Sequence, residues 1–197
     1  MKQQILVIHG GDTFENYSEY LSYLKNKNID LDKFRKKGWK DKLNHNLGDN
    51  YDVLFPRMPN DNNAKYEEWK IVFERIIELL DDNLILIGHS LGGLFLAKYL
   101  SENKISKKIK AIMLVATPFD DKTGSTFNLN KEKIANISNQ CNNIYLIHSK
   151  DDIRVNFDQL LKYKEQLPLA KEIIFEDKGH FNQEKFPEIV ELIKNCK

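Results

Sequence analysis

Four consecutive apolar residues, Leu84-Ile85-Leu86-Ile87, run into Gly88-His89-Ser90-Leu91-Gly92-Gly93 and then into Leu94-Phe95-Leu96-Ala97-Lys98-Tyr99-Leu100. The first run suits a buried strand and the last reads as a helix. The chain must therefore reverse within Gly-His-Ser-Leu-Gly. So sharp a strand-to-helix turn forces Ser90 into a strained backbone conformation. It also brings main chains so close that Gly88 and Gly92 have no room for side chains. The result is a serine hydroxyl exposed at the mouth of a sheet, beside the first amides of a helix. G-x-S-x-G between a strand and a helix is the nucleophile-elbow pattern.

The rest of the chain supplies the sheet. Strand patterns are expected at residues 5–8, 51–55, 84–87, 111–116, 144–148 and 171–175. Helical spacing is expected at 16–25, 39–47, 65–80, 94–100, 157–167 and 186–194, with a short helix at 131–138. Residues 26–37 are polar and basic, with Ile29, Leu31 and Phe34 as candidate anchors. Residues 119–130 read as a polar loop. Strands and helices alternate, and several strands are apolar on both faces. An α/β fold follows, with a mostly parallel sheet covered by helices on both sides. Nothing suggests a boundary, so the 197 residues are expected to form one domain.

Composition narrows the function. Thirty basic against 29 acidic residues give a net charge of +1, unlike the basic excess of a nucleic-acid binder. No run of 18 apolar residues offers a membrane span, and the N-terminal apolar run is too short for a signal-peptide core. Cys141 and Cys196 are the only cysteines and form no C-x-x-C, which fits free thiols in a reducing, cytoplasmic setting. The five histidines form no H-x-x-x-H or H-E-x-x-H motif, so no metal is expected. No phosphate-binding or dinucleotide glycine motif occurs, and no cofactor is expected.

A serine hydroxyl needs a base to take its proton, and the base needs an acid to orient it. In elbow enzymes the chain order is nucleophile, acid, histidine. Functional groups in parallel sheets gather after the carboxyl ends of strands. His180, in the loop after the last strand, is the expected base; His148, at a strand end, reads as a packing residue. Asp152 stands three residues before Val155, matching a common D-x-x-V pattern after this strand. Asp151 reads as its solvated or turn-capping neighbour, and Asp120 is a third candidate acid. An oxyanion hole would draw one backbone amide from Leu91 and another from the His9-Gly10-Gly11 loop, with Gly11 preferred to Gly10. His9 and His89 read as positioning or packing residues. Phe14, Tyr17, Phe119 and Phe181 are candidate substrate-binding residues, and Phe127 shares their two readings of pocket lining or loop packing.

On His9-Gly10-Gly11, Trp39, Pro56-Arg57-Met58-Pro59, Trp69, Gly88-His89-Ser90-Leu91-Gly92, Asp152 and His180, the chain resembles the alpha/beta-hydrolase superfamily. More narrowly it resembles the small serine hydrolases of the retinoblastoma-binding-protein-nine/YdeN type. The resemblance implies a three-layer alpha/beta-hydrolase fold with no large cap domain. It also implies hydrolysis of small ester or amide substrates through an acyl-enzyme. The chain departs from the pattern at residues 16–37, which read as an insertion placed where it can cover the active site. It has no L-x-C-x-E, so a pocket-protein partner is not expected. A non-catalytic binder on the same scaffold and an acyltransferase are the alternatives.

Overall fold

The computed structural model describes residues 2–120 and 126–196, the Lys33 side chain excepted. In chain order the elements are β1 (Gln3–Ile8), α1 (Tyr17–Asn26), α2 (Leu31–Arg35), α3 (Trp39–Leu47), β2 (Tyr51–Leu54) and α4 (Tyr66–Glu78). There follow β3 (Leu84–His89), α5 (Leu91–Glu102), β4 (Ile109–Val115), β5 (Ile144–Ser149), α6 (Asp158–Gln166), β6 (Lys171–Phe175) and α7 (Pro187–Asn195). All six expected strands are present. They form one sheet in the order β2-β1-β3-β4-β5-β6, with every neighbouring pair parallel.

The doubly apolar strands explain the three layers. On one face, Leu6, Ile8, Leu84, Leu86, Ile112, Leu114 and Leu146 pack with Trp69, Phe73, Phe95 and Tyr163 of α4, α5 and α6. On the other, Ile5, Val7, Ile85, Ile87, Met113, Val115 and Ile147 pack with Trp39, Leu43, Ile189 and Ile193 of α3 and α7. Alternate residues of one strand thus enter opposite cores. The outer strands β2 and β6 contain no fully buried residue, because each has a neighbour on one side only.

The helices fall close to their expected positions, and α3 ends at Gly48 as its spacing predicts. Residues 131–139 form a 3-10 segment. Two expectations need correction. Residues 31–35 form a short helix, α2, that the polar composition concealed. Ile29, Leu31 and Phe34 are not anchors, being 63%, 62% and 75% exposed. A five-residue helix cannot turn an apolar face onto a core that it does not reach. Helix α1, with Asn16 capping the Glu19 amide, buries no residue either. Tyr23 ties it to the loop after β1, its hydroxyl donating to Asp12 Oδ2 at 3.0 Å. Of the loop at 119–130, residues 121–125 lie outside the described residues, while Phe119 and Phe127 are buried. Among the described residues no helix is long and apolar enough to cross a membrane.

Candidate active site

The chain leaves β1 for β2 on one side and returns to β3 on the other. The strand order therefore switches between β1 and β3, where Ile8 lies opposite Gly88. Loops leaving the two strands diverge there and open a crevice. His9 to Asp12 enter it from β1 and Ser90 enters it from β3.

Ser90 has φ 54° and ψ −123°, a region that disfavours any side chain. The strain is held by neighbours. The Ser90 N–H donates to the Val115 carbonyl at 2.9 Å, and the Ser90 carbonyl accepts from Gly93 and Leu94. A Cβ on Gly88 would stand 2.5 Å from Gly93 Cα, and one on Gly92 would run into the Ile8 and His9 carbonyl oxygens. Gly88 lets the first turn of α5 fold back against β3, and Gly92 lets it start directly against the end of β1.

His180 follows β6, and Asp152 follows β5. Their side chains meet, with His180 Nδ1 2.8 Å from Asp152 Oδ2. The other carboxylate oxygen, Oδ1, accepts the Arg154 and Val155 amides at 2.9 and 3.0 Å. Burial opposes ionisation of Asp152. The His180 hydrogen bond and the two amides outweigh it and hold the carboxyl below its ordinary pKa. Asp151 points elsewhere: its Oδ1 accepts from the Ser149 hydroxyl at 2.6 Å and the Gly179 amide at 2.8 Å. It caps the turn before His180. Asp120 pairs with Lys162 at 2.6 Å and Lys131 at 3.0 Å, and makes no contact with His180. His148 is buried; its Nε2–H donates to the Val155 carbonyl at 2.8 Å, fixing the loop that carries Asp152.

Ser90 and His180 face one cleft of about 370 Å³, shared with Gly11, Leu91, Leu94 and Arg154. The N–H groups of Leu91 and Gly11 donate to no protein group among the described residues. Leu91 opens α5, where a helix leaves its amides without partners. The next amide along the β1 loop is used: Asp12 donates to the Asp61 carbonyl at 2.8 Å.

The other histidines and both tryptophans brace these loops. His9 Nε2 accepts the Met58 amide at 2.8 Å, leaving Nδ1–H for the Gly10 carbonyl at 2.6 Å. Trp69 Nε1–H holds the Pro59 carbonyl at 2.8 Å. Trp39 Nε1–H holds the carbonyl of Phe181, beside His180, at 2.9 Å. His89 Nε2–H donates to the carbonyl of His180 itself at 2.8 Å, and its Nδ1 lies 3.3 Å from Lys40 Nζ. Burial, with the nearby Lys40 and His180, lowers the pKa of His89 well below the ordinary value. His89 is a neutral strut.

The sequence profile of the family described as serine hydrolase matches residues 31–194. The chain belongs to the serine hydrolase family. Solved structures agree on its fold. The ydeN gene product of B. subtilis superposes with a TM-score of 0.73 at 20% identity, covering 99% of this chain and 98% of that one. A meta-cleavage product hydrolase from Pseudomonas fluorescens gives 0.68 at 14% identity, covering 99% and 92%. The monoacylglycerol lipase of Paleococcus ferrophilus gives 0.60 at 15%, covering 98% and 95%. A comparison with curated protein sequences finds no significant match.

In this serine hydrolase the aromatic substrate-binding candidates are displaced from the cleft. Phe119 is buried against Tyr163, and Phe181 lies in the core with Phe175 and Phe186. Phe127 is buried against Trp69. Phe14 packs on Tyr20 and Tyr23, and Tyr17 is 68% exposed. None of the five lines either hollow beside Ser90. Core packing claimed Phe119, Phe127 and Phe181, because a buried ring removes far more apolar surface from water than a cleft wall does. The cleft instead takes polar residues that the sequence left unmarked: Asp12, Arg154, Asn156 and Gln159. Asp12 directly follows Gly10-Gly11, and Arg154 stands between Asp152 and Val155. Proximity to those motifs was the available signal.

Proposed function

We propose that this serine hydrolase cleaves small carboxylic esters or amides through an acyl-enzyme on Ser90. The observation that carries the reading is the 2.8 Å contact between His180 Nδ1 and Asp152 Oδ2, with His180 facing the same cleft as Ser90. An ionised carboxylate can only accept, so His180 carries its proton on Nδ1 and leaves Nε2 free as a base. His180 takes the proton of Ser90 Oγ as the oxygen attacks the substrate carbonyl. The tetrahedral oxyanion is held by the Leu91 and Gly11 amides. His180 then returns the proton to the leaving alcohol or amine. Water, activated by the same imidazole, releases the acid and restores Ser90.

Strain at Ser90 supports the role, because a non-glycine residue at positive φ costs about 1–3 kcal/mol and persists where a function requires it. The testing experiment is labelling with a fluorophosphonate probe. Wild type is labelled and Ser90→Ala is not. Folded wild type that resists the probe, and leaves a panel of p-nitrophenyl esters intact, overturns the reading.

A further inference from the structure

A second hollow of about 270 Å³ opens beside Ser90 and His180, toward α3 and the loop after β2. Three cations line it: Lys40, Arg57 and Arg154. Two of them have no carboxylate partner among the described residues. Arg57 makes no hydrogen bond or ion pair among the described residues and rests on the Phe55 ring at 5.5 Å. Among the described residues, Lys40 Nζ has only His89 Nδ1 at 3.3 Å and the Trp39 ring at 4.8 Å. Arg154 reaches Asp12 at 3.4 Å, and Asp12 also accepts the Tyr23 hydroxyl. Asp61, the remaining acid in the wall, accepts from the Asn62 amide on its own loop.

An unpaired ammonium held partly out of water is costly unless something completes it. Burial, aided by Arg57, lowers the pKa of Lys40 to about 8 despite the opposing pull of Asp41. A guanidinium with its fork free beside it offers bidentate recognition of a planar or tetrahedral oxyanion. Both groups share a wall with Ser90, so the anion they suit is part of the molecule being cleaved.

Resting on the hydrolase reading above, we propose that the preferred substrate carries an anionic tail, a carboxylate or a phosphate, which Arg57 and Lys40 bind while Ser90 attacks the acyl carbon. Arg154 closes the ring of positive charge and Asp12 keeps it oriented. The neighbouring hollow, with its apolar Leu91, Leu94, Pro118 and Val155, takes the uncharged portion.

The test compares matched aryl esters: glutarate and adipate half-esters against their methyl-capped forms, with a phosphonate-tailed ester as a further arm. The expected result is a kcat/KM at least about tenfold higher for the charged member of a pair, expressed mainly in KM. The better of the carboxylate and phosphonate arms identifies the anion. Arg57→Gln should bring the charged-to-capped ratio toward one, and Arg57→Lys should restore part of it. The ratio is read within each variant, so partial loss of folded protein does not alter it. Added glutarate should also slow fluorophosphonate labelling, and neutral dimethyl glutarate should not. Equal turnover of charged and capped esters in a labelled enzyme overturns the anionic tail and leaves the hydrolase reading standing. An enzyme that neither labels nor cleaves any ester overturns both.

Discussion

His89 Nε2 lies 2.8 Å from the carbonyl oxygen of His180, so a residue inside the serine turn supports the main chain of the proposed base. Replacing it with alanine removes the side-chain donor that positions this part-buried carbonyl. The His180 loop then shifts relative to Ser90. Misplacement of about 1 Å can cost on the order of 100-fold in rate. His89→Ala should therefore lower kcat at little change in KM, and His89→Gln, whose amide can donate, should recover part of it. Steady-state kinetics on one neutral ester decides. An unchanged kcat in His89→Ala would show that the strut is idle.

The two adjacent aspartates should separate sharply. Asp152→Asn keeps shape but can donate to His180, favouring the wrong tautomer, and activity should fall by roughly 10⁴-fold. Asp151→Asn disturbs only the hydrogen bonds from Ser149 and Gly179 and should cost far less. Esterase assays on the two variants check this. A greater loss in Asp151→Asn would transfer the orienting role to it.

Gly92→Ala should destabilise the fold even though alanine favours a helix by about 1 kcal/mol over glycine. The new methyl meets the Ile8 and His9 carbonyl oxygens, which belong to backbone and cannot rotate away. Overpacking costs about 1–3 kcal/mol, and a clash with rigid backbone belongs at the upper end, so the clash wins. Gly10→Ala is milder for folding, since its Cβ would meet Ser90 Cβ at 3.1 Å and Oγ at 3.6 Å. It should slow labelling of Ser90 more than it lowers stability. Denaturant midpoints and probe-labelling rates separate the two. An unshifted midpoint in Gly92→Ala would contradict the close approach.

Stability should fall as pH drops from 7 to 5. His9, His89 and His148 are buried, and burial is the main cause lowering the pKa of each. Unfolded, each imidazole binds a proton near pH 6.5. Folded, each stays neutral until lower pH. The unfolded state thus binds more protons below about 6.5, and unfolding is favoured by up to about 1.4 kcal/mol per pH unit for each histidine. Asp152, whose pKa is lowered, adds a loss of the same sign in a separate window, below the ordinary carboxylate pKa of about 3.9. Thermal melts at pH 5 to 7 measure the first window. A flat melting temperature across it would mean that the histidines ionise in place.

Much of this molecule is written locally. Short-range patterns determined the six strands, the doubly covered sheet and the serine turn, because apolar periodicity and glycine spacing are properties of neighbouring residues. The chain order of the proposed Ser90, Asp152 and His180 could also be read, since parallel strands send the loops that follow them to one edge. Tertiary structure decided what depended on distant partners. Only folding brought His180 Nδ1 to Asp152 Oδ2 and turned Asp151 toward Gly179. It drew Phe119 and Phe181 into the core, left Ile29 and Phe34 in water, and gathered Lys40, Arg57 and Arg154 around one hollow. Those three cations lie on segments far apart in sequence, and no local pattern records that their charges share a wall.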